Sequence, residues 1–138
     1  MTYDADNIFA KILRGELPCF KVAETDGALA FMDIMPRTDG HTLVIPKTPA
    51  RNLADATAEQ LADVMALVQR VAAAQRKALG ADGTTLQQFS EAAGGQEVFH
   101  LHFHVHPRHE GVPMRPAGTM GDMDQIKAIS EKIAAAFD

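Results

Sequence analysis

The run VFHLHFHVHPRH at residues 98–109 constrains this chain more than any other stretch, because five of its six histidines fall there. Four of them alternate with apolar neighbours, and a period of two is the pattern of a strand with two different faces. On such a strand Phe99, Leu101, Phe103 and Val105 share one face, and His100, His102, His104 and His106 share the other. The apolar face is material for packing against a helix. The imidazole face would form a column with neighbours roughly 7 Å apart. Solvent-facing strand sides usually mix Thr, Lys, Glu and Ser, so four imidazoles in a row point to chemistry. His109 stands alone beyond Pro107 and reads as a surface residue.

Imidazole suits three tasks. As a metal ligand it needs two or three partners converging on one point, often with a carboxylate. As a general acid or base it needs a pKa near neutrality. As a covalent nucleophile it needs a neutral ring whose far nitrogen is held by an acceptor, so that the near lone pair faces the substrate. Crowding favours the last two, since adjacent imidazolium charges repel and keep the rings neutral.

The rest of the chain bounds these choices. Its 138 residues are enough for one domain with a real core. We expect a single domain over residues 1–138, with a core at about 5–108 and a helix-bearing tail at 109–138. The lone cysteine, Cys19, excludes an internal disulfide and a cysteine-rich zinc site, and it fits a reducing, cytoplasmic setting. The start of the sequence has early acidic residues and no long apolar run, so neither a signal peptide nor a membrane span is expected. A net charge of −5 with no basic block argues against nucleic acid as a partner. A few local donors still suffice for one phosphate.

Asp6 can cap a short helix in which Ile8, Phe9, Ile12 and Leu13 recur in phase, with Gly15 as the stop. CFKVAET and ALAFMDI, joined at Asp26-Gly27, read as a hairpin, and HTLVIPK as a short strand ended or edged by Pro46. Thr57 and Gln60 have capping-box spacing. They open a long helix whose stripe is Leu61, Val64, Met65, Val68, Val71 and Ala72, stopped by Gly80. TTLQQFSE and QEVFHLHFHV follow as strands. A last helix spans residues 122–137, with Ile126, Ile129 and Ile133 in phase. The order implies an α+β fold with a mainly antiparallel sheet, one long helix and shorter terminal helices.

GQEVFHLHFHV closely resembles the signature of the histidine triad nucleotide-binding proteins, three histidines alternating with apolar residues. IFAKILRGELPCFKV resembles that family's first helix and strand, and LAFMDIMPRTDGHTLVIPK its ribose-contacting hairpin and next strand. Together they cover most of residues 8–108 in order, closest to the family's phosphoramidase branch. The resemblance implies a homodimer formed through the long helix and sheet, with no cofactor. It implies a hydrolase cleaving purine nucleotides at the α-phosphate: a phosphoramidate, an acyl-nucleotide or a dinucleoside polyphosphate. His102 would be the nucleophile and His104 the phosphate contact assisting the leaving group. His100 would orient the middle ring, and His41 would support the network.

By the same resemblance Asp33 would receive the ribose hydroxyls, and Phe9, Leu17, Phe31 and Ile34 would wall the base. Gln96 would donate to phosphate, while Phe89 or Ser90 stands where relatives carry an asparagine contact. Glu97 replaces a usual phosphate-donating Ser or Thr, and a carboxylate there repels an anion unless it turns away. His106 falls where the signature has an apolar residue and is taken as peripheral. Asn7, Ala10 and Pro49 replace the ligands of a structural zinc site found in bacterial relatives, so no metal is expected. Met114 and Arg115 are candidates for tail residues that shape substrate choice. Two other readings compete: a non-catalytic nucleotide sensor, and a cupin-type metal enzyme. The second would need a nearly all-β chain, which the long helix contradicts.

Overall fold

The computed structural model describes residues 2–137. The elements run α1 (Ile8–Leu13), β1 (Lys21–Glu24), β2 (Ala28–Met32), β3 (Thr42–Pro46), α2 (Ala58–Leu79), β4 (Gly83–Gln87), β5 (Phe103–Arg108) and α3 (Met123–Ala135). All five strands join one antiparallel sheet in the order β1-β2-β3-β5-β4. Helix α2 carries the chain from β3 to the edge strand β4, and β5 then returns into the gap between them. This is the expected α+β architecture.

Both faces of the sheet are covered, which explains why β2 and β3 are buried at every position. Ala28, Ala30 and Met32 of β2, Val44 of β3 and Phe103 and Val105 of β5 pack under α2 and α3. The alternate residues Leu29, Phe31, Leu43 and Ile45 form a second cluster with Phe9 of α1. On β5 the register pairs Leu43 with His104. The strand therefore turns its histidines to the α1 side, into protein rather than solvent.

Helix α2 begins with the reciprocal capping box: Gln60 N–H donates to Thr57 Oγ1 and Thr57 N–H to Gln60 Oε1. It ends at Gly80 in the left-handed conformation, φ 65°. Its buried face contains Val64, Val68 and Val71 from the expected stripe, with Leu67, Ala74 and Gln75 in addition. Gln75 is fully buried, and its amide donates to Gly40 O and Val105 O, at 3.0 Å each. It ties the helix to both segments that carry histidines.

Two expectations need correcting. The cap of α1 is Asn7, whose Oδ1 accepts from Ala10 N–H, rather than Asp6; Gly15, at φ +77°, stops the helix as expected, its N–H donating to Ile12 O and Glu16 N–H to Lys11 O. Pro46 ends β3, the first of the two expected outcomes, and the strand lies in the middle of the sheet. The histidine strand starts only at Phe103. Upstream, Leu101 N–H donates to Ala50 O in the connection before α2 and not to a neighbouring strand. His100 and His102 thus sit on an irregular approach to β5, not on the strand.

Candidate active site

The segment 33–41 brings the distant histidine to the others. Asp33 N–H donates to His41 O and His41 N–H to Thr38 O, folding this loop against the start of β3. His41 is buried and lies 4.1 Å, ring centre to ring centre, from His106. His102 and His104 are 5.0 Å apart, while His104 and His106 lie nearly parallel at 5.9 Å. His106 is therefore not peripheral: it is fully buried between His41, Thr38 and Gln87, because both sheet faces are covered. His109 is half-buried and not simply on the surface, since its Nε2–H donates to Leu79 O at the end of α2.

The hydrogen bonds fix the tautomers. Each imidazole has one donor and one acceptor nitrogen when neutral. His102 Nδ1–H donates to His100 O at 2.7 Å, which leaves Nε2 as a lone pair. His100 Nε2–H donates to Pro46 O at 2.9 Å, and its Nδ1 accepts from Tyr3 OH at 2.6 Å. Arg37 N–H donates to His41 Nδ1 at 3.1 Å, so His41 Nε2–H points outward and donates to His104 Nδ1 at 2.9 Å. His104 must then carry its proton on Nε2. Asp33 Oδ2 lies 3.5 Å from the same His41 Nε2.

Burial keeps these rings neutral. It pushes His41 down to about 2, with the neighbouring imidazoles of His106 and His104 and then Arg37 adding to the fall. His104 is lowered to about 3 by burial, then by His102, His106 and Arg37. His100 and His106 are each lowered to about 4, again chiefly by burial. His102 is also lowered by burial, opposed by its bond to His100 O. Burial raises the Asp33 carboxyl; the Met35 N–H bond to Oδ1 opposes this, and the charge of Glu97 adds to it.

His102, His104 and His41 open onto a cavity of about 350 Å³, within the range of small-ligand sites. Its apolar end is walled by Phe9, Phe31, Ile34 and Val98, with Phe9 edge-on to both Phe31 and His102. Asp33, Arg37 and Glu97 supply its charges, and Phe89 stands edge-on to His104.

Three expected site residues lie elsewhere. Leu17 is 39% exposed and outside the cavity wall. Ser90 exchanges hydrogen bonds with Gln88. Gln96 faces inward, donating to Arg51 O and Val98 O and accepting from Glu91 N–H. With the Arg51–Glu91 pair it braces the loop before the histidines. The sequence reading passed over Arg37 and gave His106 too little weight.

His41, His104 and His106 are the one trio among the described residues close enough to share a metal ion. An ion there would have to displace the proton that His41 Nε2 shares with His104, so the network as bonded favours hydrogen-bond chemistry.

Residues 14–111 match the HIT domain family. The chain belongs to that family. It is 37% identical over 135 residues to the adenosine 5′-monophosphoramidase of Schizosaccharomyces pombe, covering 93% of this chain and 96% of that one. It is 40% identical over 140 residues to the adenosine 5′-monophosphoramidase of Saccharomyces cerevisiae, covering 99% and 86%. The crystal structure of a HIT-like protein involved in cell-cycle regulation from Bartonella henselae superposes with a TM-score of 0.95 at 49% identity, over 99% of this chain and all of that one. The HIT domain match takes in β1 to β5 and every histidine.

Proposed function

We propose that this HIT protein is a purine nucleotide hydrolase that cleaves at the α-phosphate through a nucleotidyl-histidine on His102. The observation that carries this reading is the His102 tautomer: with Nδ1–H spent on His100 O, the Nε2 lone pair is the nucleophile of the cavity. The lowered pKa of His102 keeps that lone pair unprotonated at neutral pH. Attack on phosphorus forms the P–N bond to His102 while the bond to the leaving nitrogen breaks; that nitrogen keeps the electron pair and takes the His104 Nε2 proton, which the attacking water later restores. His104 Nε2–H, held by His41 behind it, is the donor for charge developing at the phosphoryl group. Water then cleaves the P–N bond and restores His102.

The relatives named adenosine 5′-monophosphoramidase support a nucleoside phosphoramidate as substrate and the monophosphate as product. In this reading Asp33, on the cavity wall with Oδ2 3.5 Å from His41 Nε2, accepts from the ribose hydroxyls. The reading includes a homodimer across α2 and the open edge of β4, where Leu86 is 44% exposed; light scattering finding only monomer would remove that part. No helix among the described residues is long and apolar enough to cross a membrane.

The test compares wild type with His102→Ala on an adenosine phosphoramidate, with acid-quenched mass spectrometry for the adduct. Wild type should turn over and show a nucleotidyl mass on His102, and the variant should lose activity by orders of magnitude. Full activity in the variant would sink the mechanism. Nucleotide binding without turnover in wild type would favour a sensor.

A further inference from the structure

Positive charge strengthens phosphate binding beyond what neutral donors give, and here the imidazoles are kept neutral. Among the described residues of the wall, Asp33 and Glu97 are acidic, and only Arg37 carries a fixed positive charge. Arg37 is also held in place. Its Nε–H donates to Arg115 O at 2.9 Å, and Arg115 N–H donates back to Arg37 O at 2.7 Å. Arg115 is itself tied to this loop, through Pro36 O at 3.3 Å and Asp39 Oδ1 at 3.1 Å. The same tail lends Ala117 and Gly118 to the cavity wall and returns to Ile34 O through Gly121 N–H.

The tail thus uses the Nε–H of Arg37 on a neutral carbonyl, which fixes direction without cancelling charge. Among the described residues no carboxylate lies in ion-pair range of Arg37, since Asp39 is taken by Arg115. The terminal nitrogens keep the planar pair of donors that suits two oxygens of one phosphate. The charge of Arg37 is close enough to His41 and His104 to help depress both.

We propose that Arg37, aimed by the tail carbonyl of Arg115, binds the α-phosphate and supplies the charge that the histidines do not. This rests on the nucleotide reading above and assigns a phosphate-binding role to the 33–41 loop and the tail together. It also accounts for an anion site in a chain with a net charge of −5.

Calorimetric titration of AMP and of adenosine separates this role from a structural one. Arg37→Gln should weaken AMP about ten-fold or more, the size of a lost charged hydrogen bond, while adenosine binding stays as in wild type. Arg37→Lys should recover part of the loss, as a point charge without the fork. Arg115→Ala should weaken AMP less than Arg37→Gln does, again sparing adenosine. An unchanged ratio of AMP to adenosine affinity in Arg37→Gln would overturn the proposal, whether both ligands weaken or neither does. An Arg115→Ala protein that binds AMP as wild type does would overturn the anchoring of that carbonyl by the Arg115 side chain. Intact AMP binding with no phosphoramidate turnover in wild type would overturn the hydrolase reading and leave the role of Arg37 standing.

Discussion

His102 is set up by a single backbone oxygen. Because its Nδ1–H is committed to His100 O, the free Nε2 lone pair, the nucleophile of the proposed mechanism, follows from where the chain places residue 100, not from any acidic partner. The alternation of VFHLHFHVHPRH made the imidazoles legible as a working group, and the family resemblance separated their roles. His106 was not legible, because its importance comes from burial on a sheet face that the pattern alone would leave in solvent. Arg37 was hidden in an irregular loop, and the one available signal was that an acidic chain proposed to bind phosphate gains from a cation near the site. The structure gives His106 a measurable effect: after burial, it is the largest influence lowering His41. His106→Leu should therefore raise the His41 and His104 titrations, read from imidazole NMR shifts, and move the acid limb of activity to higher pH. Unmoved titrations would mean that His106 only fills space.

Helices with strong end signals were read well, because capping is local chemistry: Thr57, Gln60 and Gly80 bound α2 as their types predict. The start of β5 differs from the pattern, because period-two alternation continues through residues 99–102 while the Leu101 N–H goes to Ala50 O in the segment before α2. Gln75 escaped notice because a polar residue inside an apolar stripe looks like a break, and only the fold shows the carbonyls it meets. One of those carbonyls belongs to Gly40, whose φ is +94°. An added Cβ would lie 2.6 Å from Leu79 Cδ1 and 2.9 Å from Pro107 Cγ. Gly40→Ala should cost roughly 2 kcal/mol or more, from left-handed strain and overpacking together. Because the same turn delivers His41, turnover should fall as well. Chemical denaturation beside a rate assay checks this, and a variant of wild-type stability would show that the α2–loop contact yields easily.

For the whole molecule, the buried imidazoles make stability depend on acid. Their native values lie below the ordinary histidine value of about 6.5. Between that value and their native ones the unfolded chain binds protons that the native chain does not. Their neutral burial is therefore free of this penalty above about pH 6.5, and stability is lost as pH falls through the window. The slope is about 1.4 kcal/mol per pH unit for each fully shifted histidine. Thermal melts should show Tm falling steeply from pH 6.5 towards 5, with the midpoint flattening in a His41→Asn, His106→Leu double variant. A Tm independent of pH over that range would contradict the neutral network.

Tyr3 donates its hydroxyl to His100, and it is the protein's single tyrosine in a chain without tryptophan. Near-ultraviolet emission from the native protein therefore has one dominant source, held against the histidine whose carbonyl fixes the His102 tautomer. The wild-type chain carries its own optical probe at the back of the active site, so ligand binding and acid titration can be followed there without a label.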